Sequence, residues 1–495
     1  MIRPKKPSPK SLVEIANFLK IAVDSKIEVT GICSDSRLVE PGDLFLALSG
    51  ERSHGVNFLE TALQRGARAI LTDTEGSSLA SAKSSSVPLL VDSNLRSNWA
   101  ELSDWFYSSP SSKMKLYGIT GTNGKTTTSY LLHQMWTTAN IKPTGLIGTV
   151  AIFAGDEHWE AERTTPSSDQ LERILARMVE ENINQAVMEV SSHALVQDRV
   201  KKVMFSAVGF TNLSQDHLDY HKNMENYYLA KKLLFSHEYS ETAFVNIDNE
   251  YGKRLISEIT INAKSLSISG KADWNVKEFR RVNGSYQIEI SSKEGNSISG
   301  MVPLLGRHNL ENLLLAVAMA SNSGMSDAQI APTLSKLTGA PGRLELVISE
   351  PFLAFVDYAH TPDAVTRILD SIRELKVGRI IGVLGCGGDR DRGKRPLMGE
   401  ALNSGCDLPI FTSDNPRSEN ADDILKEMTY GLSLKAGAEI ISDRRAAISR
   451  AVAIAKEGDL IIVLGKGHEE GQEILGKKLP FSDREELIKA VAGND

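Results

Sequence analysis

The run Gly118-Ile119-Thr120-Gly121-Thr122-Asn123-Gly124-Lys125-Thr126-Thr127-Thr128 has the residue types of a cradle for nucleotide phosphates. Glycines let successive backbone N–H groups turn toward one anion, Lys125 can reach the outer phosphates, and the Thr126 hydroxyl can ligate the Mg²⁺ that accompanies them. The run departs from G-x-x-x-x-G-K-[ST], because Ile119 stands where glycine is usual and Gly118 comes one residue early. Residues 115–120 read as a short buried strand and residues 127–139 as a helix, so the glycines fall where a strand meets the positive end of a helix dipole. This is the pattern of an ATP site.

A second set of donors follows. Glu189 ends the strand pattern 185–190, where a phosphate-loop protein commonly places a metal ligand or a water-positioning carboxylate. Asp216-His217-Leu218-Asp219-Tyr220-His221 adds two imidazoles four residues apart. That spacing would suit zinc on a helix, but the glutamate of H-E-x-x-H is absent; oxygen donors beside phosphates suit magnesium, with His217 as one ligand, and a histidine with no metal role is the plain alternative. In the helical pattern 224–235, Lys231 falls on the stripe of Met224, Tyr227, Leu234 and Phe235, which aims its amine at the core, whereas Lys232 is solvated. A buried amine snorkels to water, pairs with a carboxylate or loses its proton, and a neutral amine can take up carbon dioxide as a carbamate; spacing by itself favours the snorkel.

Three C-terminal strand patterns, 379–384, 408–412 and 459–464, each run into glycine or charge: Gly385-Cys386-Gly387-Gly388-Asp389-Arg390, Ser413-Asp414-Asn415-Pro416-Arg417 and Gly465-Lys466-Gly467-His468-Glu469. Apolar strands separated by helices predict a doubly wound sheet with a crevice at the carboxyl ends of its strands. Carboxylates (Asp414, Glu469) beside guanidinium groups (Arg390, Arg417) suit a ligand bearing both ammonium and carboxylate, an amino acid.

The elements that must hold these residues divide the chain. At 495 residues, about 150 residues per domain predicts about three domains. Turn-rich joints at 108–112 and 339–342 place them at residues 1–112, a small α/β unit with strands near 43–48 and 69–72 and a helix near 58–65; 113–341, with the phosphate loop; and 342–495, the doubly wound unit. With 56 basic and 63 acidic residues, charge gives no reason to expect nucleic acid or a membrane surface as partner. Three unpaired-looking cysteines, Cys33, Cys386 and Cys406, and the lack of a long apolar run point to the reducing cytoplasm.

Gly121 to Thr127, Thr164-Thr165-Pro166, Glu189 to Leu195, His217 to His221, Ala230-Lys231, Leu234-Phe235, Gly306-Arg307-His308-Asn309, Gly342-Arg343-Leu344-Glu345, Asp357-Tyr358-Ala359-His360 and the three C-terminal loops together resemble the ATP-dependent Mur ligases of bacterial peptidoglycan synthesis. The resemblance spans nearly the whole chain. It implies an α/β fold of three domains: an N-terminal UDP-binding domain, a central phosphate-loop ATPase domain and a C-terminal Rossmann-like domain. It implies that Gly121, Thr122, Asn123, Gly124, Lys125, Thr126, Thr127, Asn309, Arg343 and Asp357 bind ATP. Thr126 and Glu189 would hold one Mg²⁺, and His217 a second together with Lys231 carbamylated by carbon dioxide or bicarbonate. Ser34, Ser36, His54, Thr164, Thr165, Ser191, Gln197 and Arg199 would hold a UDP-linked sugar peptide, and Arg390, Asp414, Asn415, Pro416, Arg417, Gly465 and Glu469 the incoming amino acid. Lys125, Lys231, His217 and Glu189 would be the catalytic set. Arg163 departs from relatives that carry asparagine before the paired threonines.

The implied reaction, carried out by a monomer on small molecules, is amide formation at the D-glutamate γ-carboxylate of UDP-N-acetylmuramoyl-L-alanyl-D-glutamate through an acyl phosphate. His360 and His468 are both available to accept the amine's proton. The Asp414-Asn415-Pro416-Arg417 loop goes, within the resemblance, with meso-diaminopimelate rather than L-lysine, since Arg417 can pair with the distal carboxylate that lysine lacks. A lysine-adding homologue, a ligase that extends folate with glutamate, and a phosphate-loop nucleotide switch are the other readings.

Overall fold

In a computed structural model, the described residues are 2–50, 53–80, 87–282, 285–375 and 377–493. Strands form where apolar runs are bounded by turns, and they gather into three main sheets. The first has four parallel strands in chain order, Gly31–Cys33, Asp43–Ala47, Ala69–Thr72 and Leu89–Val91. The expected helix at 58–65 is a 3₁₀ turn, Gly55–Phe58, running into a shorter helix, Leu59–Gln64.

The second sheet has eleven strands. Its parallel centre runs Thr144–Ile147, Gln185–Glu189, Lys115–Thr120, Ala207–Phe210, Thr242–Asn246, Asn262–Ser267. An antiparallel hairpin, Ala151–Ala154 with Glu157–Glu160, closes one edge, and the meander Trp274–Val282, Ser285–Ser292 and Ser297–Val302 closes the other. Lys115–Thr120 sits where the chain first moves to one side and then to the other, the point at which an open α/β sheet leaves a crevice above its strand ends. The helix after the phosphate loop is Lys125–Thr138, two residues earlier than its apolar pattern, because Gly124 supplies the turn at φ +88° and Lys125 is already helical. The helix expected to reach residue 235 is Met224–Lys232; the amides of Leu234 and Phe235 bond three residues back, tightening the last turn.

The third sheet orders Glu345–Ile348, Leu353–Asp357, Leu460–Leu464, Ile380–Cys386, Leu408–Ser413 and Glu439–Ile440, all parallel except the first edge strand. Apolar residues cover both faces. Ile380, Leu384 and Cys386 pack into one cluster and Ile381 and Val383 into the opposite one, the period of two that a doubly covered strand requires. The first residues of the chain leave the N-terminal unit: Ile2 enters the core of the central unit, and the amides of Lys5 and Lys6 donate to Glu180.

Candidate active site

The phosphate loop is shaped from below by residues 211–212, which follow Ala207–Phe210. Thr122 N donates to Asn212 O at 2.9 Å, Asn123 N to Asn212 Oδ1 at 3.0 Å, and Thr211 Oγ1 to Asn123 O at 2.6 Å. A Cβ on Gly124 would lie 2.2 Å from Asn312 Oδ1, so the loop has no room for a side chain there. Lys125 Nζ donates to the carbonyls of Gly121 and Thr122, both at 2.9 Å, and burial lowers its pKa although Glu189 pulls the other way. The Thr126 hydroxyl donates to Glu189 Oε2 at 2.9 Å, and Thr149 adds its amide to Oε1 at 2.7 Å and its hydroxyl to Oε2 at 3.0 Å. Thr122 to Thr127 line a cavity of about 200 Å³ together with Asn309, Arg343 and Asp357. Arg343 lies over the Tyr358 ring and reaches Thr126 Oγ1 at 3.3 Å, and Asp357, whose pKa burial raises, accepts the amides of Leu344 and Ala359.

Lys231 does not snorkel. It is 2 % exposed, its Nζ donates to Gly121 O at 2.8 Å and lies 4.6 Å from the Tyr227 ring centre, beneath the phosphate loop. Burial, reinforced by Lys125, drives its pKa well below the usual lysine value. His217 caps the single turn Leu218–His221 at φ +53° instead of lying within a helix; its ring stands edge-on to Tyr227 at 6.2 Å, its Nε2 lies 3.4 Å from Asp216 Oδ2, and burial, against the pull of Asp216, lowers its pKa to about 3. Among the described residues no group of three His, Cys, Asp or Glu side chains stands ready as a metal cage. The donors present, a threonine hydroxyl against a carboxylate and a neutral imidazole near a buried lysine, fit Mg²⁺ completed by phosphate oxygens rather than a self-sufficient protein site.

The C-terminal loops converge. A second cavity of about 200 Å³ is lined by Arg390, Asp414, Asn415, Arg417, Gly465 and Glu469. Lys466, fully buried, donates to Asn415 Oδ1 at 3.0 Å and Glu469 Oε2 at 2.9 Å, and Asn415 Nδ2 donates to the same Glu469 oxygen. Pro416 does not line the cavity; a Cβ on Gly388 would meet its carbonyl at 1.9 Å, so it shapes the loop from behind. Asp216, His217, Tyr358 and His360 line both cavities, so the two are neighbours across one wall.

Residues 119–320 match the Mur ligase middle domain, residues 342–467 the Mur ligase glutamate ligase domain, and residues 28–100 the Mur ligase family catalytic domain. A UDP-N-acetylmuramoyl-L-alanyl-D-glutamate–2,6-diaminopimelate ligase from Streptomyces coelicolor is 42% identical over 99% of this chain and 98% of its own length. The chain belongs to the Mur ligase family. Another ligase of the same name, from Aquifex aeolicus, is 42% identical over 94% of each chain. A solved structure bearing that name superposes at a TM-score of 0.65 with 31% identity, covering 98% of this chain and 99% of the other.

In this Mur ligase the residues expected at the UDP-linked substrate are not gathered in one cavity. Thr165, Ser191, Gln197 and Arg199 form one hydrogen-bonded group, with Thr165 Oγ1 on Glu189 O at 2.9 Å and Arg199 Nη1 on Thr165 O at 2.9 Å. Thr164 faces the phosphate-loop cavity, its Oγ1 3.0 Å from Thr149 Oγ1. Ser34 instead bonds Asp169 of the central unit through both its amide and its hydroxyl, Ser36 is buried in a 3₁₀ turn, and His54 bonds Asp73. Arg163 is exposed. Thr149, Asn212, Asn312, Lys394 and Lys466 line or brace the site without a sequence assignment. Asn312 carries a signal, a second amide one turn after Asn309 where the polar first turns give way to the apolar run of the helix; Thr149 and Asn212 have none beyond following a strand.

Proposed function

We propose that this Mur ligase uses ATP to join meso-diaminopimelate to the D-glutamate γ-carboxylate of UDP-N-acetylmuramoyl-L-alanyl-D-glutamate, the kind of reaction for which its relatives are named. The observation that carries the reading is the wall of Asp216, His217, Tyr358 and His360 common to the nucleotide cavity and the amino-acid crevice. An acyl group activated on one side is within reach of an amine on the other.

In the first step a carboxylate oxygen of the donor attacks the γ-phosphorus of ATP, and the bond to the ADP oxygen breaks. In the second the amine attacks the acyl carbon, phosphate departs with its oxygen, and nitrogen gives up one proton. Loop amides and Lys125 orient the phosphates, and their charge restores the proton affinity that burial takes from Lys125. Thr126 and Glu189 are suited to one Mg²⁺, and His217 with a carbamylated Lys231 to a second; such ions neutralise phosphate charge as it builds. Carbamylation joins Lys231 Nζ to the carbon of carbon dioxide and releases one proton, a reaction favoured by the lowered proton affinity of the buried amine. Native mass spectrometry of the Lys231→Met variant should lack the labile mass of one CO₂ that the unaltered chain carries.

Phosphate release from ATP should require both the UDP-linked dipeptide and meso-diaminopimelate, with bicarbonate present. Equal turnover with L-lysine would overturn the amino-acid assignment, and release indifferent to donor and amine would overturn the ligase.

A further inference from the structure

Amide formation leaves one group to be found, the acceptor of the proton that the amine nitrogen gives up. Two imidazoles lie in loops at the crevice end of the C-terminal sheet, His360 and His468, and the structure separates them. His468 lines neither cavity; its ring centre is 5.4 Å from that of Tyr358, and its Nδ1 is buried without a hydrogen-bond partner. His360 lines both cavities. The carboxylates Asp414 and Glu469 line the crevice alone, and Glu469 Oε2 already accepts from Lys466 and Asn415. An acyl group activated on one side of the wall and an amine seated on the other meet beside His360.

Its backbone neighbours fix which nitrogen is basic. His360 Nδ1 lies 2.8 Å from Tyr358 O, and a carbonyl can only accept, so Nδ1 carries the hydrogen and Nε2 the lone pair. Nε2 stands 3.8 Å from Asp216 Oδ2, too far for a hydrogen bond that would occupy it and near enough for the carboxylate to stabilise an imidazolium. The side chain is 38 % exposed, and Nε2 is neither bonded nor sealed in the interior. Burial lowers the proton affinity of His360, with Lys394 and Arg343 acting the same way and Asp216 opposing them, so at neutral pH the ring is uncharged. We propose that His360 Nε2 is the base of the second step, taking the proton from the amine nitrogen as that nitrogen bonds to the acyl carbon and phosphate leaves with its oxygen, while Tyr358 O holds the ring and Asp216 faces the imidazolium formed. This rests on the ligase reading.

His360→Gln tests it, because the glutamine amide can still donate to Tyr358 O but has no basic nitrogen. The first step is read without any amine, from ATP labelled isotopically in the oxygen that bridges the β and γ phosphorus atoms: reversible acyl phosphate formation on the UDP-linked dipeptide moves the label to non-bridging positions. That exchange should stay within about threefold of the unaltered chain, whereas amide formation with meso-diaminopimelate should fall by about a hundredfold or more, the loss lying in kcat. Hydroxylamine, uncharged near neutral pH and able to react with an acyl phosphate unaided, should give hydroxamate at nearly the same rate in both proteins. Loss of exchange and amide formation together, amide formation that survives His360→Gln and is lost in His468→Gln, or a hydroxylamine rate that falls as far as the diaminopimelate rate would each overturn the proposal and leave the ligase standing. No exchange in the unaltered chain would overturn the ligase reading and the proposal with it.

Discussion

Arg417 stands at φ +52°, a region unfavourable for a side chain with a Cβ, and it is held there by Arg417 N to Glu473 O at 3.0 Å and Leu475 N to Arg417 O at 2.7 Å. Its Nη1 donates to Gly388 O at 2.7 Å, so the guanidinium is fixed in the crevice before any ligand arrives. Pre-orientation of this kind lowers the ordering cost of binding. Arg417→Ala should therefore weaken diaminopimelate by roughly 1.5–3 kcal/mol, about ten- to a hundredfold in KM, with the KM for ATP unmoved. Lys466 acts one layer behind: its Nζ joins Asn415 and Glu469, and it touches no open part of the crevice. Lys466→Met leaves Glu469 without that donor and lets Asn415 turn, so KM for the amino acid should rise by about tenfold while kcat at saturation changes little. Equal losses in both constants would make Lys466 a folding residue instead.

The helix Ser168–Glu180 marks the boundary between what local chemistry encodes and what docking decides. The phosphate loop is legible in sequence because its strand, glycines and helix are contiguous, and the crevice loops because they follow strands of one sheet. Asp169, Glu172, Arg173 and Arg177 instead have the spacing of the solvated face of an amphipathic helix, yet all four are buried: Asp169 accepts the amide of Ser34 from the N-terminal unit, and Arg177 pairs with Glu157, Glu180 and Glu181. No short-range signal carries that information. Glu172 has a measurable consequence. One of its oxygens lacks a donor, and burial, with a smaller push from Asp104, raises its carboxyl to about 8 from 4.5. Between those values the unfolded chain releases a proton that the folded chain keeps, so stability falls as pH rises through this window and the loss is complete above it. Glu172→Gln should remove a dependence on the order of a few kcal/mol. Thermal midpoints that fall in parallel for both proteins from acid to mildly alkaline pH would sink this account.

At the scale of the whole molecule, the nucleotide cavity belongs to two units. The phosphate loop and Glu189 come from one and Arg343, Asp357 and His360 from the other, bridged by Asn123 Nδ2 to Asp363 Oδ2 at 3.3 Å. The joint between them contains two glycines at positive φ, Gly339 at +75° and Gly342 at +65°. Both would be strained by a side chain, but their surroundings differ. A Cβ at Gly339 meets nothing nearer than Leu304 Cδ2 at 3.6 Å, whereas at Gly342 it would lie 2.1 Å from His468 N and 2.5 Å from Gly467 C. Gly339→Ala should carry only the backbone term, about 1 kcal/mol of stability, with kinetics preserved. Gly342→Ala must also push the joint away from the loop that follows Leu460–Leu464, which moves Arg343 relative to Thr126 and both relative to the crevice. Its KM for ATP should rise and its kcat fall by about tenfold or more, because positioning errors near 1 Å are felt strongly in catalysis. If the two alanine variants behave alike, the close contact at Gly342 does not set the relation of the two units, and closure is governed elsewhere in the wall of Asp216 and His360.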